Sequence, residues 1–320
     1  MSEERAQKTV CGKKEERKMA KQVKTQKKNR IYIGNRFADA LLYLFFIVAT
    51  IIFIYPFLNV IAVSMSSNTM ITTGQVTWFP REFNVTGYKI LFEEGNIWRA
   101  YGNTIIICLG FAVCNLAMTS LLAYVMMIPN FVFHKPISIM LLITMFFSGG
   151  TVPTYLLIKN IGWFNNWLSL IVPGCLSAYN VFVYRAFYKG ISPQVREAAM
   201  IDGAGEFQIL MKIYVPLSKA LYASFGLFAV VGMWNSYYEA LLYIKDERLH
   251  PIQMILRKIV FTSTGSGDMA AATEMMNNGQ LNTLNIQYAC VVATALPIMC
   301  IYPFLQKYFA QGVQVGAVKG

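Results

Sequence analysis

Apolar runs of about twenty residues or more recur along this 320-residue chain, at 37–65, 104–128, 136–158, 167–188, 217–244 and 288–309. A helix needs about 20 predominantly apolar residues to cross the hydrocarbon core of a bilayer. Lipid offers no partner to backbone N–H and C=O groups, so a segment within it pairs them internally as a helix. The pattern predicts an all-α integral membrane protein with six transmembrane helices. Composition agrees: 14% of the residues are charged, where a soluble domain carries roughly a quarter. The first apolar run is too long for a signal-peptide core and is expected to stay as a membrane anchor. The expected organisation is a basic tail at 1–36, a six-helix domain at 37–310 and a short tail at 311–320.

Charge sets the expected orientation. With the N-terminus inside, 20 of the 28 Lys and Arg residues fall on the cytoplasmic side, 12 of them in the first 36 residues, and 8 fall outside. Positive residues favour the cytoplasmic face, so both termini are expected to be cytoplasmic. The stretch "KKEERKMAKQVKTQKKNR" has no interleaved aromatics and stands just before an apolar run. That suits the anionic surface of the lipid bilayer rather than nucleic acid.

Several chemistries have no residues to carry them. There is no GxxxxGK[ST] phosphate loop, no HExxH and no GxSxG elbow. There is no CxxC or other metal-ligand spacing, and Cys108, Cys114, Cys175, Cys290 and Cys300 fall in apolar runs, where Cys acts as a small hydrophobe. No catalytic residue, metal site or bound cofactor is expected. Charged residues inside the runs are nearly absent away from their ends, and only Glu239 qualifies as a buried carboxylate, too few for a proton relay.

One stretch stands apart: "EAAMIDGAGEFQILMKIYVPL", which begins at Glu197 and separates the fourth and fifth runs. Ser192 followed by Pro193 is a favoured helix start, and Gly203 supplies the positive φ that ends a helix over 193–201. A second helix is expected over 205–214, with Phe207, Leu210, Met211 and Tyr214 on one stripe. Ala198, Ala199, Gly203 and Ala204 leave a nearly side-chain-free surface, flanked by Glu197 and Asp202. The residues allow two readings, a projecting knob that docks in a cytoplasmic partner or an amphipathic loop lying on the membrane.

This stretch resembles the EAA loop of ABC importer permeases, E-A-A-x3-G-x9-I-x-L-P. Glu197, Ala198, Ala199, Gly203, Ile213 and Pro216 match in spacing, and Val215 replaces Leu. The stretches "FFSGGTVPTYLLIKNIGWFNN", "VPGCLSAYNVFVYRAF", "MWNSYYEALLYI" and "GVQVGAVKG" are similar to the carbohydrate-uptake branch, the LplC/YtcP-type, related to maltose-type permeases. The resemblance implies a type I importer (MetI-like) fold in the bacterial cytoplasmic membrane and a coupling loop at 192–216 that docks in an ATPase subunit. It also implies partners: a second permease, two ATPase subunits that bind ATP and Mg, an extracellular solute-binding lipoprotein and an oligosaccharide substrate. Lys319 in the C-terminal stretch is a further candidate contact to the ATPase. The loop at 262–283 is expected to approach the binding protein.

The fifth run carries "WNSYYE". Taken as one helix over 217–244, it is ~42 Å long and places Trp234 near its middle. Trp234, Tyr237 and Tyr238 then share a face bordered by Asn235, with Glu239 nearby. Aromatic rings and an amide suit a carbohydrate path; the alternatives are that the rings pack against neighbouring helices and that Glu239 pairs with a helix neighbour. Tyr179 and Asn180 are expected mid-way along the fourth run, where polar groups need a partner or a watery cavity. The alternatives are a type I permease for a non-sugar solute and a non-transport membrane assembly protein.

Overall fold

The computed structural model describes residues 36–93, 96–129, 131–263 and 283–317. Lys319 and most of the 262–283 loop lie outside them. All regular structure among the described residues is helical. The helices are α1 (Arg36–Ser64), α2 (Thr86–Glu93), α3 (Ile97–Met127), α4 (His134–Phe146), α5 (Thr151–Ile161), α6 (Ala178–Lys189), α7 (Pro193–Ile201), α8 (Glu206–Leu217), α9 (Lys219–Asn235), α10 (Tyr238–Tyr243), α11 (Ile252–Ser263) and α12 (Thr283–Ala317).

The chain divides after Asn59 into two compact units. The first holds most of α1, whose side chains from Leu41 to Phe57 are largely exposed apolar groups. A helix apolar on every side suits a lipid environment.

In the second unit α3 is the central rod. It packs against α6 and α9, and α9 packs in turn against α12. Side-chain amides and hydroxyls tie α3 and α12 to neighbouring turns and helix ends, at points where an apolar contact would have no direction. Asn103 Nδ2 donates to the carbonyls of Arg248 and His250 at 2.8 and 3.0 Å. Asn115 Nδ2 donates to Cys175 O at 2.9 Å. Thr104 Oγ1 accepts from the N–H of Ile252 at 2.8 Å. Asn285, on α12, donates to Ser64 O and Ser66 O at 3.2 and 2.9 Å. Gly87 of α2 leaves room for that amide: a Cβ there would lie 2.0 Å from Asn285 Oδ1.

Three helical stretches among the described residues, Asp39–Ser64, Ile97–Met127 and Leu284–Ile301, are single rods long and apolar enough to cross a membrane. Two more apolar runs are bent pairs. α4 and α5 meet at 118°, and α8 and α9 at 85°. The first bend follows from Ser148, Gly149 and Gly150, the last at φ +86°, a backbone state that favours glycine. The fourth run, expected as one helix, breaks at the Pro173–Gly174 turn, leaving a short helix at Leu168–Ile171 and then α6. The fifth breaks twice. It bends at Ser218, and after Asn235 the backbone turns extended at Ser236 (ψ 127°) before α10. The 17 residues of α9 span about 26 Å, so the expected ~42 Å rod is not formed.

Candidate functional site

α7 occupies the predicted residues, with Pro193 at its start. Ser192 stands at the N-cap position without a side-chain cap bond, its hydroxyl engaged with Gln194 Oε1 instead. The helix ends where Gly203 turns to φ +83°. Gly203 N–H donates to Met200 O at 3.1 Å and Ala204 N–H to Ala199 O at 2.9 Å, so two of the last carbonyls are satisfied.

The surface of this turn differs from the expected bare patch. Ala198 and Gly203 are exposed, while Ala199 and Ala204 pack inward against the cluster that holds Ile209, Leu210 and Tyr214. Glu197 and Asp202 are exposed and form no ion pair among the described residues. Within four residues of Gly203 along the chain, three apolar side chains are exposed, Met200, Ile201 (86% exposed) and Phe207 (64%). The expected stripe of Phe207, Leu210, Met211 and Tyr214 is split as well. Leu210 and Tyr214 are buried, Phe207 and Met211 exposed. Leu210 and Tyr214 join Ile209 in the core cluster, and Leu210–Tyr214 is a π-helix.

The loop is tied to α3 through one carboxylate. Arg196 of α7 donates through Nε and Nη2 to Glu206, at 3.2 Å for Nε–Oε2. Tyr124 of α3 donates its hydroxyl to Glu206 Oε2 at 2.6 Å. Glu206 stands ahead of the apolar part of its segment, and the Arg196 guanidinium holds its carboxyl below the ordinary carboxylate range.

The second candidate region is the break after α9. Trp234 is buried against α12. It is 5% exposed, donates Nε1–H to Thr294 O of α12 at 3.1 Å and lies 6.3 Å from the Tyr101 ring. The helix ends one residue later, so Trp234 stands at a helix end rather than mid-helix. The shared face with Tyr237 and Tyr238 is lost for the same reason. What the break exposes is Asn235, Tyr237, Tyr238 and Glu239. The Asn235 amide donates back to Val231 O at 2.9 Å, and the Ser236 hydroxyl donates to the Glu239 carboxylate. Tyr179 is exposed and Asn180 half-buried, both in the first turn of α6 rather than mid-way along a rod. Among the described residues no group of three His, Cys, Asp or Glu side chains is placed to hold a metal ion.

Residues 111–315 match the family described as binding-protein-dependent transport system inner membrane component. The chain belongs to this family. The permease is similar to the polygalacturonan/rhamnogalacturonan transport system permease protein YtcP of Bacillus subtilis (strain 168), with 32% identity over 89% of this chain and 99% of that one. It is 34% identical to protein LplC of the same organism over 83% of this chain and 90% of that one. Among solved structures it resembles a chain of a bacterial ABC transporter involved in the import of the acidic polysaccharide alginate. There the TM-score is 0.79, with 25% identity, over 87% of this chain and 98% of that chain. The resemblance to the carbohydrate-uptake branch is thereby confirmed, as is the all-helical importer fold.

Sequence reasoning missed two features of the permease. The apolar rim of Met200, Ile201 and Phe207 was legible as residue types but not as exposed surface. Arg196 and Glu206 are ten positions apart, and no periodic pattern links residues across a turn.

Proposed function

We propose that this permease forms half of the translocation path of an ATP-driven oligosaccharide importer. A second permease would supply the other half, and the loop at 192–216 would couple the path to an ATPase subunit. The observation that carries the reading is the turn at Gly203. It presents an open backbone, with no atom within 4 Å of a Cβ placed there, in a loop that also exposes Met200, Ile201, Phe207, Glu197 and Asp202. Exposed apolar side chains among charged ones suit a protein interface, and a closely approached backbone favours glycine there.

ATP and Mg bind on two such ATPase subunits, and an extracellular lipoprotein delivers the sugar. Both termini are cytoplasmic. Asn235, Tyr237, Tyr238 and Glu239 at the break after α9, with Tyr179 and Asn180, supply rings and hydrogen-bonding groups to the path, while Trp234 holds α9 against α12. Irregular backbone at membrane depth is tolerated where it is buried in protein or lines a watery cavity, which supports placing the path at this break. The saccharide substrates named for the similar proteins support an oligosaccharide.

Purification of the permease with its genomic neighbours tests the reading. Two ATPase subunits and a second permease should co-purify. Oligogalacturonides delivered by the lipoprotein should raise ATP hydrolysis more than an amino acid does. Recovery of the permease without ATPase subunits would overturn it.

A further inference from the structure

One face of α3 carries two polar junctions, one helical turn apart. At Tyr124 the hydroxyl meets Glu206, which Arg196 also grips. At Ser120, four residues earlier, the hydroxyl meets the hydroxyls of Tyr188 on α6, at 2.9 Å, and Tyr222 on α9. Tyr188 and Tyr222 also bond to each other at 2.7 Å. The rings interlock. Tyr124 stands edge-on to Tyr214 at 5.1 Å, and Tyr214 edge-on to Tyr188 at 5.4 Å. Tyr124, Tyr188 and Tyr214 are all buried.

From these contacts we infer that Glu206 is a joint. With Arg196 and Tyr124 it makes α7 move as one body with the adjoining end of α3. This inference rests on the coupling role proposed for the loop, and it assigns positions to three residues outside the docking surface. The geometry favours a joint over a docking contact for Arg196, whose side chain is 17% exposed and points both donors at Glu206 rather than outward. A paired carboxylate also constrains direction, since a planar guanidinium fork and a phenol together fix its plane. The neighbouring backbone can yield where the joint does not. A π-helix at Leu210–Tyr214 lies within α8, and the 85° bend at Ser218 separates α8 from α9; such irregularities mark hinges. Displacement of α7 would therefore reach α3 through Glu206 at fixed geometry, and α9 would follow through the Ser120, Tyr188 and Tyr222 junction.

An ion pair at a half-exposed site biases an equilibrium by up to roughly five-fold, enough to influence a movement without deciding whether the chain folds.

The test uses the assembled importer, with Cys11, Cys114 and Cys300 replaced by Ala. Spin labels are placed at Gln194→Cys on α7 and Val113→Cys on α3, both exposed positions. Their separation is measured without nucleotide and with ATP plus vanadate. The wild-type background should give one narrow distribution that nucleotide leaves unchanged. Glu206→Gln and the gentler Tyr124→Phe should each add a second, nucleotide-dependent population, while ATPase subunits are recovered as before. A wild-type separation that shifts with nucleotide would overturn the joint. So would single, unchanged distributions in both variants. Loss of ATPase subunits in Glu206→Gln would overturn it too, because Glu206 would then serve the docking surface. Failure of the coupling role itself looks different: the unmutated complex would purify without ATPase subunits.

Discussion

Gly203→Asn separates strain in the turn from interference at the surface. Gly203 holds φ +83°, and no atom lies within 4 Å of where a Cβ would stand. The substitution therefore meets no clash inside the permease, and its cost there is conformational. A left-handed residue with a side chain costs roughly 1–2 kcal/mol, and Asn pays less than most because its short amide suits that region. Against a total stability of about 5–15 kcal/mol, the permease should stay folded. In a docked complex the new side chain must be accommodated by the partner. Overpacking a fitted contact costs about 1–3 kcal/mol, roughly a five- to 150-fold loss in affinity. Gly162 supplies the control, because it has φ +81°, equally open surroundings and a place at the end of α5. Gly162→Asn should carry the same strain without touching the loop. The assay is recovery of ATPase subunits with each purified variant, beside its thermal unfolding in detergent. The expected result is equal unfolding temperatures and a selective loss of ATPase with Gly203→Asn. Equal ATPase recovery in both variants would refute the docking argument.

Other outcomes follow from the same contacts. Gly87→Ala places a methyl 2.0 Å from Asn285 Oδ1 and should cost about 1–3 kcal/mol, read as a lower unfolding temperature. Trp234→Phe removes the donor to Thr294 O and should lower stability by about 1 kcal/mol while substrate-stimulated ATP hydrolysis changes little. Tyr237→Ala and Glu239→Gln, at exposed positions, should do the reverse, lowering uptake with unfolding unchanged. Glu197→Lys should release ATPase subunits on purification, since juxtaposed like charges can cost several kcal/mol, and Glu197→Gln should release fewer; equal recovery would make Glu197 a solvated charge.

What the sequence could reveal was set by the range of the interactions. α7 was legible because Ser192, Pro193 and Gly203 act on the backbone within one or two residues of themselves. The apolar helices were legible as membrane segments because hydropathy adds along the chain. Their continuity was not. Ser148, Ser218 and Ser236 barely alter the mean hydropathy of a run, yet each stands at a bend or break. Trp234 shows the same limit. An aromatic beside Asn235 reads as a ligand surface until the Thr294 carbonyl, 60 positions away, claims its N–H. The second loop helix misled because a four-residue stripe does not say which of its edges meets the core, and Leu210 and Tyr214 pack inward with Ile209 while Phe207 and Met211 stay out.

The two breaks that hydropathy hid bear directly on mechanism. α9 is bounded by the Ser218 bend at one end and the Ser236 break at the other. Between them a regular helix of 17 residues resists bending, because its hydrogen bonds lie within the segment, so displacement concentrates at the ends. The first end adjoins the loop proposed to meet the ATPase. The second places Asn235, Tyr237, Tyr238 and Glu239 beside backbone groups that a helix would have paired. In an apolar layer such groups need protein or water around them. A watery cavity at that break would serve the backbone and a hydroxyl-rich solute alike. On the proposed reading, a rigid rod set between a moving loop and a polar break converts motion at one membrane face into a changed opening at depth, and the one charge on that rod, Lys219, stands at its first residue.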